Sequence, residues 1–246
     1  MCIIIGKPLN VDKPSDETLR YCATANRDGI GIAYTRNNHV CIKKDFADVE
    51  AFITWLGENI KVTDACMIHF RNASTGAEDQ GNRHPFPLTR KNKRLRAVES
   101  ITDIAVAHNG TFKDFGSHKK YSDTLLFIKE VLADPIIRNN IASEAISELI
   151  KGYIGTSKLA MLHRDGSIVE FGTFYQEHGL LYSNTNWKAN SYASGCAIKQ
   201  CNKCYIVIHE WRDWNYKDGI VYCNGCFKIL DTKLITESKK GGDDNA

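Results

Sequence analysis

Residues 2–5, Cys-Ile-Ile-Ile, make an unbroken apolar run near the start of the chain. A run this short and β-branched predicts a buried strand. Gly31–Tyr34 and His39–Lys43 read as two strands around the turn Thr35-Arg36-Asn37-Asn38. Phe46, Val49, Phe52, Ile53 and Leu56 recur at three- and four-residue spacing, which predicts a helix over Phe46–Asn59. Ala65–Arg71 and Ile104–His108 read as buried strands. Ser122-Asp123-Thr124 opens a helix that runs to Leu132, and Ile141–Tyr153 forms another. Leu159–His163 and Ser167–Phe171 pair as a hairpin across Arg164-Asp165-Gly166. Strands, one helix, strands, two adjacent helices and more strands predict an α+β fold with mostly antiparallel sheets, not regular βαβ alternation.

Composition narrows the class. The 246 residues are 43% hydrophobic and 25% charged, as a globular chain is. A net charge of +3 is too mild to announce a polyanionic partner. No apolar run approaches the ~20 residues of a membrane span. No cationic segment precedes the apolar opening, as a signal peptide requires. A cytoplasmic protein with no membrane association is expected. Nine cysteines, an odd number, argue against a secreted disulfide framework and for metal-binding or catalytic thiols. They fall at 2, 22, 41 and 66, then at 196, 201, 204, 223 and 226, with none from 67 to 195. Two units with a border near residue 190 are expected, joined by the polar stretch Asn184–Gly195. The tail over 233–246, ending in SKKGGDDNA, reads as a disordered end.

Cys2 carries the sharpest chemistry. Removal of Met1 would leave a residue with both a thiol and a free α-amino group. An α-amine has a reference pKa of about 7.7–8.0, suited to accept a proton near neutrality. One residue then supplies nucleophile and base. The plain alternative is a cysteine that follows the initiator in a buried strand. Five segments bear on the choice: Asn26-Arg27-Asp28-Gly29-Ile30-Gly31-Ile32-Ala33, Ile68–Gly76 (IHFRNASTG), Asn82-Arg83-His84-Pro85-Phe86, Ala107-His108-Asn109-Gly110, and Ser122-Asp123-Thr124. Taken singly, each has an ordinary reading: an Asn-Gly step is a common hairpin turn, and Ser122 before Asp123 suits a helix cap. In this order after a cysteine at position 2, they resemble the class II glutamine amidotransferases. The forms around Gly29–Gly31 and His84–Pro85 are most similar to the small stand-alone YafJ-type members. The resemblance covers roughly residues 2–185.

It implies an αββα N-terminal-nucleophile hydrolase sandwich over residues 2–190 that releases ammonia from L-glutamine through a Cys2 thioester. No cofactor is implied for the catalysis. By position, Arg71 would grip the α-carboxylate with a bidentate fork, Ser74 and Thr75 would add hydrogen bonds, and Asp123 would take the α-ammonium. Asn109 and Gly110 would form the oxyanion hole. Gly29 and Gly31 are expected as turn residues. Two positions depart from the family pattern: Ile3 stands where the synthase members usually carry Gly, and Thr75 where some carry His. With no second active site in the chain, a separate ammonia-accepting synthetase is the implied partner. Two rival readings stay open: another N-terminal-cysteine amide hydrolase, and an inactive hydrolase scaffold serving as a binding module.

The C-terminal cysteines have their own logic. Cys201-Asn202-Lys203-Cys204 and Cys223-Asn224-Gly225-Cys226 form a CxxC pair separated by the 18 residues from Tyr205 to Tyr222. This is zinc-ribbon spacing, and four thiolates close the site around a structural Zn²⁺. The ribbon is expected over 194–232, with Tyr205–Ile208 and Ile220–Tyr222 as β segments flanking Asp218-Gly219. Trp211, Trp214 and Tyr216 beside Arg212 and Lys217 could stack on nucleic-acid bases; packing against the adjoining domain is the favoured reading. Arg83–Arg96 holds six basic residues and no acid, and reads either as a docking patch or as a solvated loop.

Overall fold

The computed structural model describes residues 2–73, 76–115 and 118–187 in full, and beyond them the backbone of four short strands. The chain divides into two compact units, Met1–Trp187 and Lys188–Ala246. The first holds β1 (Ile3–Lys7), α1 (Asp16–Ala25), β2 (Ile30–Arg36), β3 (His39–Lys43), α2 (Val49–Asn59), β4 (Cys66–Phe70) and β5 (Phe86–Pro87). It continues with α3 (Asn92–Leu95), β6 (Glu99–Thr102), β7 (Ile104–Asn109), α4 (Asp123–Phe127), α5 (Pro135–Asn139) and α6 (Glu144–Ile154). Four strands close it: β8 (Lys158–His163), β9 (Ile168–Phe171), β10 (Tyr175–Glu177) and β11 (Leu180–Tyr182).

Two antiparallel sheets result, so the fold is α+β. One has seven strands in the order β10-β11-β1-β4-β2-β3-β6; the other has four, β5-β7-β8-β9. The apolar opening run becomes an interior strand of the larger sheet, with both of its faces covered. Ile3 and Ile5 pack with Leu19 and Cys22 of α1 and Phe52 and Leu56 of α2. Ile4, with Ala33 and Met67, turns to the other face and meets Ala105, Ala107 and Ala160 of the smaller sheet. The far face of the smaller sheet, through Val106, Leu159 and Met161, buries against Leu125, Phe127, Leu132, Ile150 and Ile154. The period of two along each strand sorts side chains between these cores.

Several boundaries differ from expectation. The helix anticipated from Phe46 begins at Val49, because the Asp48 carboxylate accepts from Ala51 N and caps it there. The β2–β3 turn is only Asn37-Asn38, both at positive φ (51° and 59°), as a tight hairpin turn requires. The helix expected to reach Leu132 changes character at Ile128: Ala133 N bonds to Ile128 O at 2.8 Å, a wider π-helical turn. The second expected helix starts three residues late, at Glu144 on a Ser143 cap, and α5 precedes it.

In the second unit, β12 (Lys199–Gln200) pairs with β13 (Val207–Ile208), and β14 (Trp214–Lys217) with β15 (Ile220–Cys223). Ile220–Cys223 therefore pairs with Trp214–Lys217, not with the 205–208 segment expected to flank Asp218-Gly219. The residues 201–206 between the first two strands carry Cys201 and Cys204. Those two cysteines, Cys226, Trp211, Arg212 and the tail 233–246 lie outside the described residues, and Cys223 is described by its backbone alone.

Candidate active site

Register brings the site together. Ile3 pairs with Phe70, and Phe70 also pairs with Ile30, so Cys2, Arg71 and Gly29 meet at one edge of three adjacent strands. Arg71 N donates to Gly29 O at 2.8 Å, and Asp28 N to Arg71 O at 3.0 Å. The Asp28 carboxylate then accepts from Ala73 N at 2.5 Å, holding the chain after Arg71 in place. Cys2 Sγ sits 3.2 Å from both Asn72 N and Asn72 O. Asn184 Nδ2 donates to Cys2 O at 2.8 Å, from just beyond β11.

Burial pushes the Cys2 thiol up from its ordinary value, while the Asn72 backbone bond, the amino terminus and Arg71 pull it down. No side-chain base hydrogen-bonds to Cys2 Sγ among the described residues. Two other thiols of the first unit, Cys22 and Cys66, are poorer nucleophiles. Both are buried, and burial pushes each to about 12.

Cys2 borders two cavities. The first is tight, about 20 Å³, and brings Cys2 together with Arg71, Ser122, Asp123, His108 and Gly110. The second is a cleft of about 430 Å³ bordered by Cys2, Asn72, Asn109, Gly110, Ser157, Lys158 and Asn184. Arg71 is 3% exposed and its two terminal nitrogens each lie 3.3 Å from Ala77 O. Burial lowers the affinity of its guanidinium for its proton, opposed by Cys2, Asp28 and Asp79. Asp123 is 4% exposed, opens α4 after the Ser122 cap, and accepts from Phe112 N at 2.6 Å and Thr124 N at 2.7 Å.

Asn109 ends β7. One N–H of its amide donates to Ser183 Oγ at 2.9 Å, and Ile4 N donates to the same oxygen at 2.9 Å. Ser183 thus ties the strand that follows Cys2 to the side chain of Asn109. Gly110 has φ +157°, and a side chain there would strike Ser157. The Asn-Gly step therefore leaves its strand as an exit beside the thiol; it is not a two-residue hairpin turn.

Sequence reasoning brought Cys2, Arg71, Asn109, Gly110 and Asp123 forward, and the fold places all five around the two cavities. Ser74 and Thr75 lie outside the described residues. Ser183 and Asn184 were not foreseen: Asn184 read as the start of a connecting segment. Gly29 and Gly31 do more than turn the chain. A Cβ on Gly29 would collide with the Arg83 side chain and one on Gly31 with His84 O, so both admit the 82–85 segment against β2.

The basic stretch is largely tied down. Arg83 Nη1 donates to Lys44 O at 3.0 Å, Arg94 Nη2 to Ile101 O at 2.5 Å and Arg96 Nη1 to Lys120 O at 3.0 Å. Arg96 also pairs with Asp79 at 2.6 Å, whereas Lys91 and Lys93 are exposed. Among the described residues no three His, Cys, Asp or Glu side chains gather as metal ligands would, and no helix is long and apolar enough to cross a membrane. Comparison with protein-family models and with curated proteins finds no match to the chain.

Proposed function

We propose that this chain is a glutamine-hydrolysing amidotransferase subunit of the N-terminal-nucleophile type, acting through Cys2. The observation that carries the reading is the position of Cys2 between a pocket with a buried arginine and a buried aspartate and a cleft bordered by Asn109 and Gly110. Opposite charges lining one small pocket suit an amino-acid zwitterion. With its α-carboxylate on Arg71 and its α-ammonium on Asp123, glutamine would present its amide to Cys2 Sγ. As it stands the small pocket has room for about one water. Entry of glutamine therefore requires the lining of this pocket to move.

In this reading the α-amine of Cys2, freed by loss of Met1, takes the thiol proton. A thiol raised by burial needs such a base, and among the described residues no side-chain base hydrogen-bonds to it. The thiolate attacks the side-chain amide carbon. The second N–H of Asn109 and the N–H of Gly110 receive the oxyanion. The C–N bond breaks as the α-ammonium returns its proton, and ammonia leaves through the larger cleft. Water then hydrolyses the γ-glutamyl thioester, giving glutamate and the free thiol. The ammonia passes to an acceptor handled by a separate synthetase. The packing of helices, two sheets and helices supports the αββα sandwich that such hydrolases use.

For the second unit the proposal is a structural zinc ribbon. Cys201, Cys204, Cys223 and Cys226 would hold the metal. The paired strands on both sides of the first CxxC, and a strand that ends at Cys223, support that donor set. Bound zinc would supply folding free energy to a unit of this size.

Release of glutamate and ammonia from L-glutamine tests the reading. Activity should be abolished by Cys2→Ala, and Arg71→Lys should raise KM for glutamine by about tenfold or more, since an ammonium cannot reproduce the fork. Full activity of Cys2→Ala would overturn it in favour of a scaffold or a different hydrolase.

A further inference from the structure

Asn82 is fully buried and its amide is spent on backbone. Its Nδ2 donates to Ala77 O at 3.0 Å and to Lys120 O at 2.9 Å, and its Oδ1 accepts from Ser122 N at 3.1 Å. These three bonds use both amide donors and one of the two oxygen lone pairs. Ala77 O is the oxygen that also receives the two terminal nitrogens of Arg71. Ser122 is the cap of α4, whose first residue is Asp123. One side chain thus joins the segment that holds the arginine to the helix start that holds the aspartate.

The two segments touch directly as well. Gly76 has φ +72°, and a Cβ there would lie 2.7 Å from Ser122 N. The far end of the clamp is braced too, because Lys120 O also accepts from Arg96, which is paired to Asp79.

We infer that Asn82 is a positioning residue that sets the separation of Arg71 from Asp123, and so selects the length of the amino acid whose amide reaches Cys2. The inference rests on the glutamine reading above. Glutamine and asparagine carry the same zwitterionic head and differ by one methylene. A head fixed at both ends places only one of their amides over Sγ. Loosening the clamp moves the head, not the thiol, so binding and selectivity fail while the nucleophile stays intact.

The test compares two labels on the full chain. A glutamine-analogue diazoketone needs Arg71 and Asp123 to reach Cys2; iodoacetamide does not. Asn82→Ala should slow diazoketone labelling of Cys2 by roughly tenfold to a hundredfold, the cost of a small misplacement. Iodoacetamide labelling should not change. KM for glutamine should rise more than kcat falls, and the preference for glutamine over asparagine should shrink. Should Asn82→Ala fold poorly, Asn82→Ser and Gly76→Ala carry the test, the latter by pushing the same segments apart without altering Asn82. Equal slowing of both labels, or an unchanged preference for glutamine in folded variants, overturns the inference. A wild-type protein that iodoacetamide labels and the diazoketone does not would overturn the glutamine reading itself, and the role of Asn82 with it.

Discussion

Lys44 lies fully buried with Nζ 3.2 Å from Leu95 O and 4.3 Å from the centre of the Phe86 ring. Burial, with help from Arg96 and Arg71, pulls its ammonium down to about 7, against the opposing pull of Asp79. In the unfolded chain the same group keeps its proton up to about 10.5. Between about 7 and 10.5 the unfolded state binds more protons, so stability rises with pH across that window and is at its lowest below it. Lys44→Met removes the penalty. It should stabilise the protein at pH 7 by on the order of 2 kcal/mol, and the gain should fade towards pH 10. Urea unfolding at the two pH values checks this; a pH-independent difference would contradict it. At the proposed site, Asn109→Ala should lower kcat for glutamine by about a hundredfold to a thousandfold with little change in KM, because its donor acts on the oxyanion. Steady-state kinetics decide, and a rise in KM alone would assign Asn109 to ground-state binding. Among residues, those in motifs were legible: Cys2, Arg71, the Asn109-Gly110 step and Asp123. Ser183 and Asn184 were not. They reach Cys2 only because β11 pairs beside β1, and no local pattern announces a pairing across most of the chain.

At the scale of elements, β2 shows why its glycine is needed. Gly31 pairs with His69 in mid-sheet and faces His84 O so closely that no side chain fits. Gly31→Ala should cost on the order of 3 kcal/mol, seen as a lower urea midpoint with an unchanged slope. A neutral result would mean that the 82–85 segment is free to shift. Elements with a strong pattern were legible from the sequence: the apolar β1, the β8–β9 hairpin around Gly166, and α2 with its spaced apolar residues. Others lacked the signal. α1 buries only Leu19 and Cys22, so no apolar stripe marks it, although Ser15 before Asp16 and Glu17 is a helix-start signature. The short strands β6 and β10 are sheet edges with mostly exposed or half-buried residues, where alternation is weak.

Across the whole first unit, three buried histidines meet at the backbone of residue 108. His69 Nε2 and His84 Nδ1 lie 3.2 Å and 3.1 Å from His108 O, and His108 Nδ1 lies 2.9 Å from Thr124 Oγ1. Burial lowers all three: His69 to about 3, His108 to about 4, and His84 well below its ordinary value. The unfolded chain protonates them near 6.5 while the fold does not. The contribution of these histidines to stability is therefore fully present above about 6.5 and lost as pH falls towards 4. Acid titration followed by near-ultraviolet circular dichroism should show unfolding in that window, and His69→Gln should move its midpoint to lower pH. The second unit makes a separate prediction. Purified protein should carry about one zinc per chain, and Cys201→Ser should lose it. A metal-free chain with reduced thiols would count against the ribbon.

The central claim is that Cys2, freed of Met1, is the nucleophile of a glutamine site. The intact mass of the protein after exposure to the glutamine-analogue diazoketone tests it most directly. The account predicts a mass lacking Met1 and carrying a single adduct that maps to Cys2. A mass that retains Met1, or an adduct that persists in Cys2→Ala, would contradict it.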